Sequence, residues 1–205
     1  MIKTAQGPFD FPMTDTLAFK LDRILKCLPR DPFYTLQRKA VVCKATACDR
    51  SDISWISEES IDREGDIILA NGMDDSIYIT NPIVTLNHNY ELAPVALSVW
   101  RKQVEEGGKK GVKAMTVYPS KPKSLLKSES WLPDQIFALV QTGLLAGKSI
   151  GFLPLLVREP SYDEVQRQPY LAQVRLIVEK WLLMEYACCA FPAQARALVE
   201  SVGSC

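Results

Sequence analysis

Residues 40–55 are rich in valine, isoleucine, threonine and serine and alternate in part between apolar and polar positions. This pattern is typical of β-strands. Further strands are predicted at residues 66–69, 83–87, 95–104 and 111–118. The last two are joined by EEGGKK, in which Gly107 and Gly108 can take the positive φ angles of a hairpin turn. The middle of the chain is therefore predicted to be mainly β.

Two segments carry apolar residues at helical spacing. After a proline-containing arm at residues 1–14, residues 15–28 place apolar side chains along one face of a helix. This amphipathic helix either covers the domain or docks on another protein. The second predicted helix lies within residues 128–147, with Pro133 near its start and Gly147 following its end.

The last third of the chain is predicted to return to strands. One strand is expected at residues 148–157, and the charged stretch 158–170 is expected to be a solvated loop or a hairpin excursion. Two more strands are predicted at Leu171–Val178 and Trp181–Ala190, followed by a short helix at Ala193–Val202. About seven strands without strand–helix alternation indicate a mainly β fold with flanking helices, either an antiparallel barrel or a sandwich.

Composition and charge narrow the class of protein. The 205 residues suffice for one domain with a core, and 47% hydrophobic and 23% charged residues are typical of a globular protein. The 24 basic residues equal the 24 acidic ones, so charge gives no reason to expect nucleic acid or a membrane surface as a partner. The amino terminus has no apolar run suited to a signal peptide, and no stretch approaches the ~20 apolar residues of a membrane span.

The six cysteines do not form a recognisable metal site. They contain no CxxC pair, and the chain has a single histidine for a mixed site. We therefore expect no metal, and we interpret the cysteines as reduced thiols of a cytosolic protein. Cys188 and Cys189 lie inside an apolar strand and are expected to be core thiols rather than nucleophiles.

The single histidine, His88, is the one imidazole available to a hydrolase that works near neutral pH. It lies in NPIVTLNHNYELAP, directly after an apolar strand and before a turn-rich segment. Its ring would emerge at the end of a strand, where catalytic groups are often held. Taken alone, His88 is either such a base or an ordinary loop histidine.

Ser149 stands out by its position in AGKSIGF, between a helix that ends in small residues and an apolar strand. Gly147 and Gly151 would allow a substrate backbone to approach closely. The string fits the GxSxG pattern of α/β-hydrolases, but that elbow runs from strand to helix, whereas here a helix precedes and a strand follows. Ser149 is therefore either a nucleophile of another enzyme class or a buried hydroxyl at the start of a strand.

The ordered series SEESIDREGDIILANG, NPIVTLNHN, AGKSIGF and LLMEYACCAFPAQARAL resembles the tailed-bacteriophage prohead (capsid maturation) proteases, whose fold is similar to that of herpesvirus assemblins. The resemblance spans about residues 38–200. It implies a closed antiparallel β-barrel of about seven strands surrounded by helices. It also implies a protease domain at 38–205, preceded by an arm and helix at 1–37.

The resemblance implies three catalytic residues: Ser149 as nucleophile, His88 as general base and Glu185 as the acid that orients the imidazole. Asp66 and Asp62 are rival acids. The sequence departs from the family pattern at two positions near Glu185, where Ala187 replaces a common serine and PAQAR, with Gln194, replaces a PAN-like segment. These departures concern the local register near Glu185 and not the type of reaction.

The implied activity is that of a serine endopeptidase without metal or organic cofactor. Its substrates would be the phage scaffold protein, the major capsid protein and the enzyme itself, inside a procapsid that is assembled in the bacterial cytoplasm. A homodimer is compatible with the assemblin resemblance. Residues 1–37 would tether the enzyme or cover its cleft. The alternatives are a non-catalytic capsid or scaffold protein on the same barrel, and an unrelated β-barrel binding module.

Overall fold

The structure is a computed structural model that describes residues 50–203. The arm and helix predicted at residues 1–37, and the start of the strand predicted at 40–55, lie outside this range. The strands within it are β1 (Ser51–Glu58), β2 (Asp66–Ile68), β3 (Met73–Asp74), β4 (Ile83–Leu86), β5 (Ala96–Glu106), β6 (Lys109–Val117), β7 (Gly147–Arg158), β8 (Leu176–Cys189) and β9 (Val199–Val202). The helices described are α1 (Leu132–Gln141) and α2 (Tyr162–Arg167), besides short 3-10 turns at Ala70–Gly72, Tyr78–Thr80 and Pro169–Gln173.

All nine of these strands belong to one mixed sheet, which is organised around the 14-residue strand β8. β2, β3 and β4 pair with β8 in parallel, and β7 pairs with it antiparallel along nearly its whole length. From β4 the sheet continues through antiparallel neighbours to β5, β6, β1 and β9. β8 therefore lies between the strand that ends before His88 and the strand that carries Ser149.

The prediction of a closed antiparallel barrel surrounded by helices is wrong. The sheet contains parallel pairs, and it is not closed into a barrel, because closure needs a continuous ladder between the end strands. The chain just before β9 meets β7 through an isolated bridge between Leu198 and Gly147. With two α-helices in residues 50–203, the described part of the chain is a β-rich α+β fold with an open sheet.

Several predicted elements are confirmed with small shifts of their ends. The strands expected at 66–69, 83–87, 95–104 and 111–118 are β2, β4, β5 and β6. Gly107 and Gly108 form the hairpin turn between β5 and β6 with φ angles of 56° and 76°. The helix expected within 128–147 is α1, which has Pro133 in its first turn. It ends earlier than predicted, at Gln141, so the glycine that follows it is Gly143, with a φ of 74°, and Gly147 instead begins β7.

Two predictions near the carboxy terminus are wrong. The two strands expected at Leu171–Val178 and Trp181–Ala190 are the single strand β8, because Glu179 and Lys180 interrupt the apolar pattern without interrupting the strand. The helix expected at Ala193–Val202 is absent, and the chain there instead adds β9 to β1. The stretch 158–170, expected to be a solvated loop or a hairpin excursion, leads from β7 to its antiparallel partner β8. It contains the short helix α2, which Ser161 and Glu164 start with a capping box.

The main hydrophobic core lies on one face of the strands that surround β8. Trp181 and Tyr186 of β8 and Val84 of β4 are fully buried in it. Helix α1 contributes Ile136 and Phe137 to the same cluster. None of the helices within residues 50–203 is long and apolar enough to cross a membrane.

Candidate active site

His88 follows β4 in a tight turn. Asn89 N–H donates to Leu86 O at 2.9 Å, and the two central residues, Asn87 and His88, have φ angles of 52° and 54°. Two positive φ angles in such a turn are characteristic of type I′. Histidine rarely adopts this conformation, and residues held in it occur often at functional sites. Asn87 fastens the turn to β8, because its N–H donates to Cys188 O at 2.9 Å.

The imidazole of His88 is bound to the carboxylate of Glu185 on β8. Its Nδ1 lies 2.5 Å from Glu185 Oε1, and Thr85 Oγ1 donates to Glu185 Oε2 at 2.7 Å. The Glu185 side chain is 5% exposed, whereas the imidazole is 34% exposed. A buried carboxylate on Nδ1 orients the ring, favours the tautomer with a proton on Nδ1, and leaves Nε2 to act as a base.

Gly151 makes room for this carboxylate. It lies opposite Glu185 in the β7–β8 ladder, and a Cβ at Gly151 would stand 2.2 Å from Glu185 Oε1. The sequence suggested that Gly147 and Gly151 admit a substrate backbone. The space beside Gly151 is instead filled by Glu185, and that beside Gly147 by Cys189 O, 2.4 Å from a Cβ position. A side chain at position 151 would displace the carboxylate that holds His88.

Ser149 lies on the same face of the sheet as Glu185. It is opposite Ala187 in the β7–β8 ladder, and Thr85 is opposite the same Ala187 on the β4 side. Side chains two residues apart on a strand share a face, so Ser149 neighbours Gly151, over which Glu185 Oε1 and the bound imidazole lie. The structure therefore brings the three predicted residues, Ser149, His88 and Glu185, to one patch across β7, β8 and the end of β4.

A backbone amide points at the Ser149 hydroxyl. Ala193 N–H, in the loop after β8, donates to Ser149 Oγ at 3.4 Å. Ser149 is 6% exposed, because this loop passes beside it. The arrangement places an N–H donor on the serine oxygen, and His88, the basic group of the patch, is bound to Glu185 on the same face of the sheet. A base and an N–H donor near one hydroxyl are the two requirements for acyl transfer.

The rival acids, Asp66 and Asp62, form contacts with Arg175 and with backbone N–H groups. Asp66 binds Arg175 with both carboxylate oxygens, at 3.0 and 2.6 Å. Asp62 Oδ1 accepts the backbone N–H groups of Glu64 and Asp66 at 2.8 and 2.9 Å. Burial raises the pKa of Asp62 above its ordinary value in spite of these hydrogen bonds. Both aspartates shape the β1–β2 loop, whereas Glu185 contacts His88.

Tyr90 also interacts with Glu185. Burial, followed by the negative charge of Glu185 and a hydrogen bond with it, raises the pKa of Tyr90 to about 12. The phenol therefore keeps its proton at neutral pH and can donate it to the carboxylate. Tyr90 follows the His88 turn by two residues, so the same loop carries the imidazole and a further partner of its acid.

The neighbour of Ser149 on β7, Lys148, points to the opposite face and into the core. Its ammonium is fully buried and lies 2.9 Å from Asp52 Oδ2, 3.1 Å from the Tyr118 hydroxyl and 3.3 Å from Cys188 Sγ. Burial opposes the charge on Lys148, yet Cys188 and Asp52 raise its pKa above the ordinary value. We call these four residues, Lys148, Asp52, Tyr118 and Cys188, the buried polar cluster.

The site residues offer little to a metal ion. No group of three or more histidine, cysteine, aspartate or glutamate side chains within residues 50–203 is arranged to hold one.

Cys188 and Cys189 are buried free thiols. Burial, together with the neighbouring Cys188, raises the pKa of Cys189 to about 11.

The supporting residues of the site are not predicted by the sequence. Thr85 is expected only as a strand residue, whereas in the fold its hydroxyl donates to Glu185. Gly151 is expected to admit a substrate backbone, whereas it accommodates the Glu185 carboxylate, and the Ala193 N–H is not predicted as a donor. A threonine on the strand before the histidine carries no local signal, because its partner is 100 residues away along the chain.

Comparison of the chain with family models, with curated proteins and with solved structures finds no match. The functional assignment therefore depends on the residues and on the geometry described above.

Proposed function

We propose that this chain is a serine endopeptidase of the prohead-protease type, with Ser149 as nucleophile, His88 as general base and Glu185 as the orienting acid. The observation that carries the proposal is the buried carboxylate of Glu185, 2.5 Å from His88 Nδ1, on the same sheet face as Ser149. His88, the one histidine of the chain, contacts Glu185 across 97 positions of the sequence, and Ser149 lies on the sheet face of that carboxylate.

The reaction is acyl transfer. His88 Nε2 accepts the hydroxyl proton as Ser149 Oγ attacks the scissile carbonyl carbon, and the imidazolium that forms is stabilised by the Glu185 carboxylate. The imidazolium then protonates the leaving amine as the carbon–nitrogen bond breaks. Water, deprotonated by His88, attacks the acyl-enzyme and releases the acid and the free serine.

The Ala193 N–H is the donor best placed to stabilise the tetrahedral oxyanion. An oxyanion bonded to the same carbon as Ser149 Oγ forms within about 2.5 Å of that oxygen, where an N–H already aimed at Oγ can reach it. Because the donor belongs to the backbone, any residue at position 193 supplies it, which is compatible with alanine there.

The resemblance to prohead proteases supplies the substrates of this proposal: the scaffold protein, the capsid precursor and the enzyme itself. Enzyme and substrate enclosed in one procapsid have a high effective concentration, so modest intrinsic activity is sufficient. Residues 1–37 would act as a tether or a cover in this setting.

The test is a fluorophosphonate probe followed by intact-mass spectrometry. We expect one adduct on the wild type that maps to Ser149, none on Ser149→Ala, and a rate at least ~10³-fold lower on His88→Ala. Ser130→Ala, which removes an exposed serine outside the site, is the matched control and should label like the wild type. Absence of an adduct, both in isolation and after co-expression with the phage capsid and scaffold proteins, would instead identify a non-catalytic structural protein.

A further inference from the structure

The loop that carries Ala193 lies between β8 and β9 and is held by the loop between β1 and β2. The latter contains the segment Asp62–Asp66, DREGD, whose role is not explained by the catalytic residues. Asp62 folds this segment into a turn by accepting two backbone N–H groups, and Gly65 takes a φ of 85° that favours glycine. Arg175 anchors its end through Asp66. The turn presents Arg63 towards the Ala193 loop.

Arg63 forms a hydrogen bond with the peptide group whose N–H donates to Ser149. Its guanidinium Nη1 donates to Pro192 O, the carbonyl of the Pro192–Ala193 peptide. Its backbone N–H donates to Ala193 O at 2.9 Å, which fixes the next peptide group as well. Two consecutive peptide groups of the loop are therefore bound by one residue.

Because the peptide is planar and trans, the hydrogen bond of Arg63 to Pro192 O also affects the orientation of the N–H on the Ser149 side. The C=O and N–H of one trans peptide point in opposite directions, so a bond that fixes Pro192 O also fixes the direction of Ala193 N–H. That N–H is the one that donates to Ser149 Oγ. A cation on the carbonyl oxygen also polarises the peptide and strengthens its N–H as a donor.

Gln194, the next residue after Ala193, adds a second attachment of this loop to the loop between β1 and β2. It is 7% exposed, and its Nε2 donates to Ser60 O at 2.9 Å and to Ser60 Oγ at 2.8 Å. Its Oε1 accepts Arg196 N–H at 3.0 Å. The sequence marked Gln194 as a departure from the family pattern without a catalytic role, whereas here it limits the movement of the loop around Ala193.

We propose that Arg63 is a positioning residue that orients and polarises the Pro192–Ala193 peptide as the oxyanion donor, with Gln194 as its brace. This inference rests on the proposed serine-hydrolase function. An oxyanion donor contributes through its fixed position before the reaction, so loosening it lowers the rate of the chemical step and leaves substrate binding nearly unchanged.

The test measures the labelling of Ser149 by a fluorophosphonate at several probe concentrations, which separates the maximal rate (kinact) from the half-saturating concentration (KI). Removal of a whole donor costs 10²–10³-fold, so for Arg63→Met, which leaves the donor but frees it, we expect kinact to fall about 10- to 100-fold. KI should stay within about twofold of the wild type. Arg63→Lys, which keeps the charge, should recover part of the rate.

Arg167→Met, the same change at an exposed position in α2, is the control and should label like the wild type. Wild-type kinact in Arg63→Met overturns the inference, as does a rise in KI accompanied by a drop in Tm of more than about 2 °C, which indicates a structural role. Should Arg63→Met not fold, Arg63→Lys is compared in its place: a kinact lowered about 3- to 10-fold supports the inference, and the wild-type value overturns it. An unlabelled wild type would instead overturn the proposed function.

Discussion

Lys148 and Ser149 are adjacent on β7, yet they belong to two different polar regions on opposite faces of the sheet. Lys148 lies in the buried polar cluster, where its ammonium is fully enclosed and bound to Asp52 at 2.9 Å. Ser149 faces a site whose imidazole is 34% exposed and whose acid is buried. Both regions combine a buried carboxylate with a cationic or basic partner.

The two faces differ in whether solvent reaches their polar side chains. In the buried polar cluster the charges satisfy each other, so removing one partner leaves the other charge alone in the core. On the Ser149 face the carboxylate is enclosed but the base reaches solvent, so a substrate can approach without unfolding the sheet. One face should therefore govern stability and the other activity.

The largest effect is expected from removing the charge of Glu185, the proposed acid on the Ser149 face. Glu185→Gln keeps the shape of the side chain but removes the charge that orients and stabilises the imidazolium. We expect the rate of fluorophosphonate labelling to fall about 10²- to 10⁴-fold. Glu105→Gln, an exposed change on β5, is the control. A labelling rate of Glu185→Gln within twofold of the wild type would show that Glu185 has no part in the reaction.

A substitution in the buried polar cluster, on the opposite face, should lower the free energy of unfolding. Lys148→Met fills a similar volume but leaves the Asp52 carboxylate buried without its cation, which costs about 3–5 kcal/mol in the free energy of unfolding. Guanidinium denaturation measures this difference, with Lys180→Met, at an exposed position on β8, as the control. The double variant Lys148→Met, Asp52→Asn should recover part of the loss. Equal stability of Lys148→Met and the wild type would contradict the structural role of this pair.

The smallest effect is expected at Cys189, which shares the sheet face of Ser149 without sharing its chemistry. With its pKa raised to about 11 by burial and by Cys188, its thiolate is roughly 10⁻³ of the total at pH 8 and forms as the pH rises through 11. Iodoacetamide at pH 8 should leave Cys189 unmodified in the folded protein and modify it in guanidinium. Rapid modification of the folded protein that also blocks the fluorophosphonate would make this thiol a rival nucleophile.

The local pattern of apolar and polar residues is sufficient to predict much of the fold, and residue type is sufficient to predict part of the site. The strands β4, β5 and β6, the turn at Gly107 and Gly108 and the helix α1 follow from spacing and turn chemistry, which act between near neighbours. His88 could be chosen because the chain has one histidine. The choice of Glu185 came from the resemblance, since nothing within the sequence around it distinguishes it from other strand carboxylates.

The sequence by itself determined the approximate places of β4, β5, β6 and β7 and which residues could act as nucleophile and base, because alternation and residue type are local properties. The tertiary structure alone decided that three short strands run parallel to β8, that the sheet stays open, that Thr85 and Gly151 frame Glu185, and that Arg63 reaches Pro192 O across 129 positions of the chain. Apolar spacing records that a strand face is buried but carries no information about its partner, and partners far apart in the sequence are chosen by packing and hydrogen bonding in the folded chain.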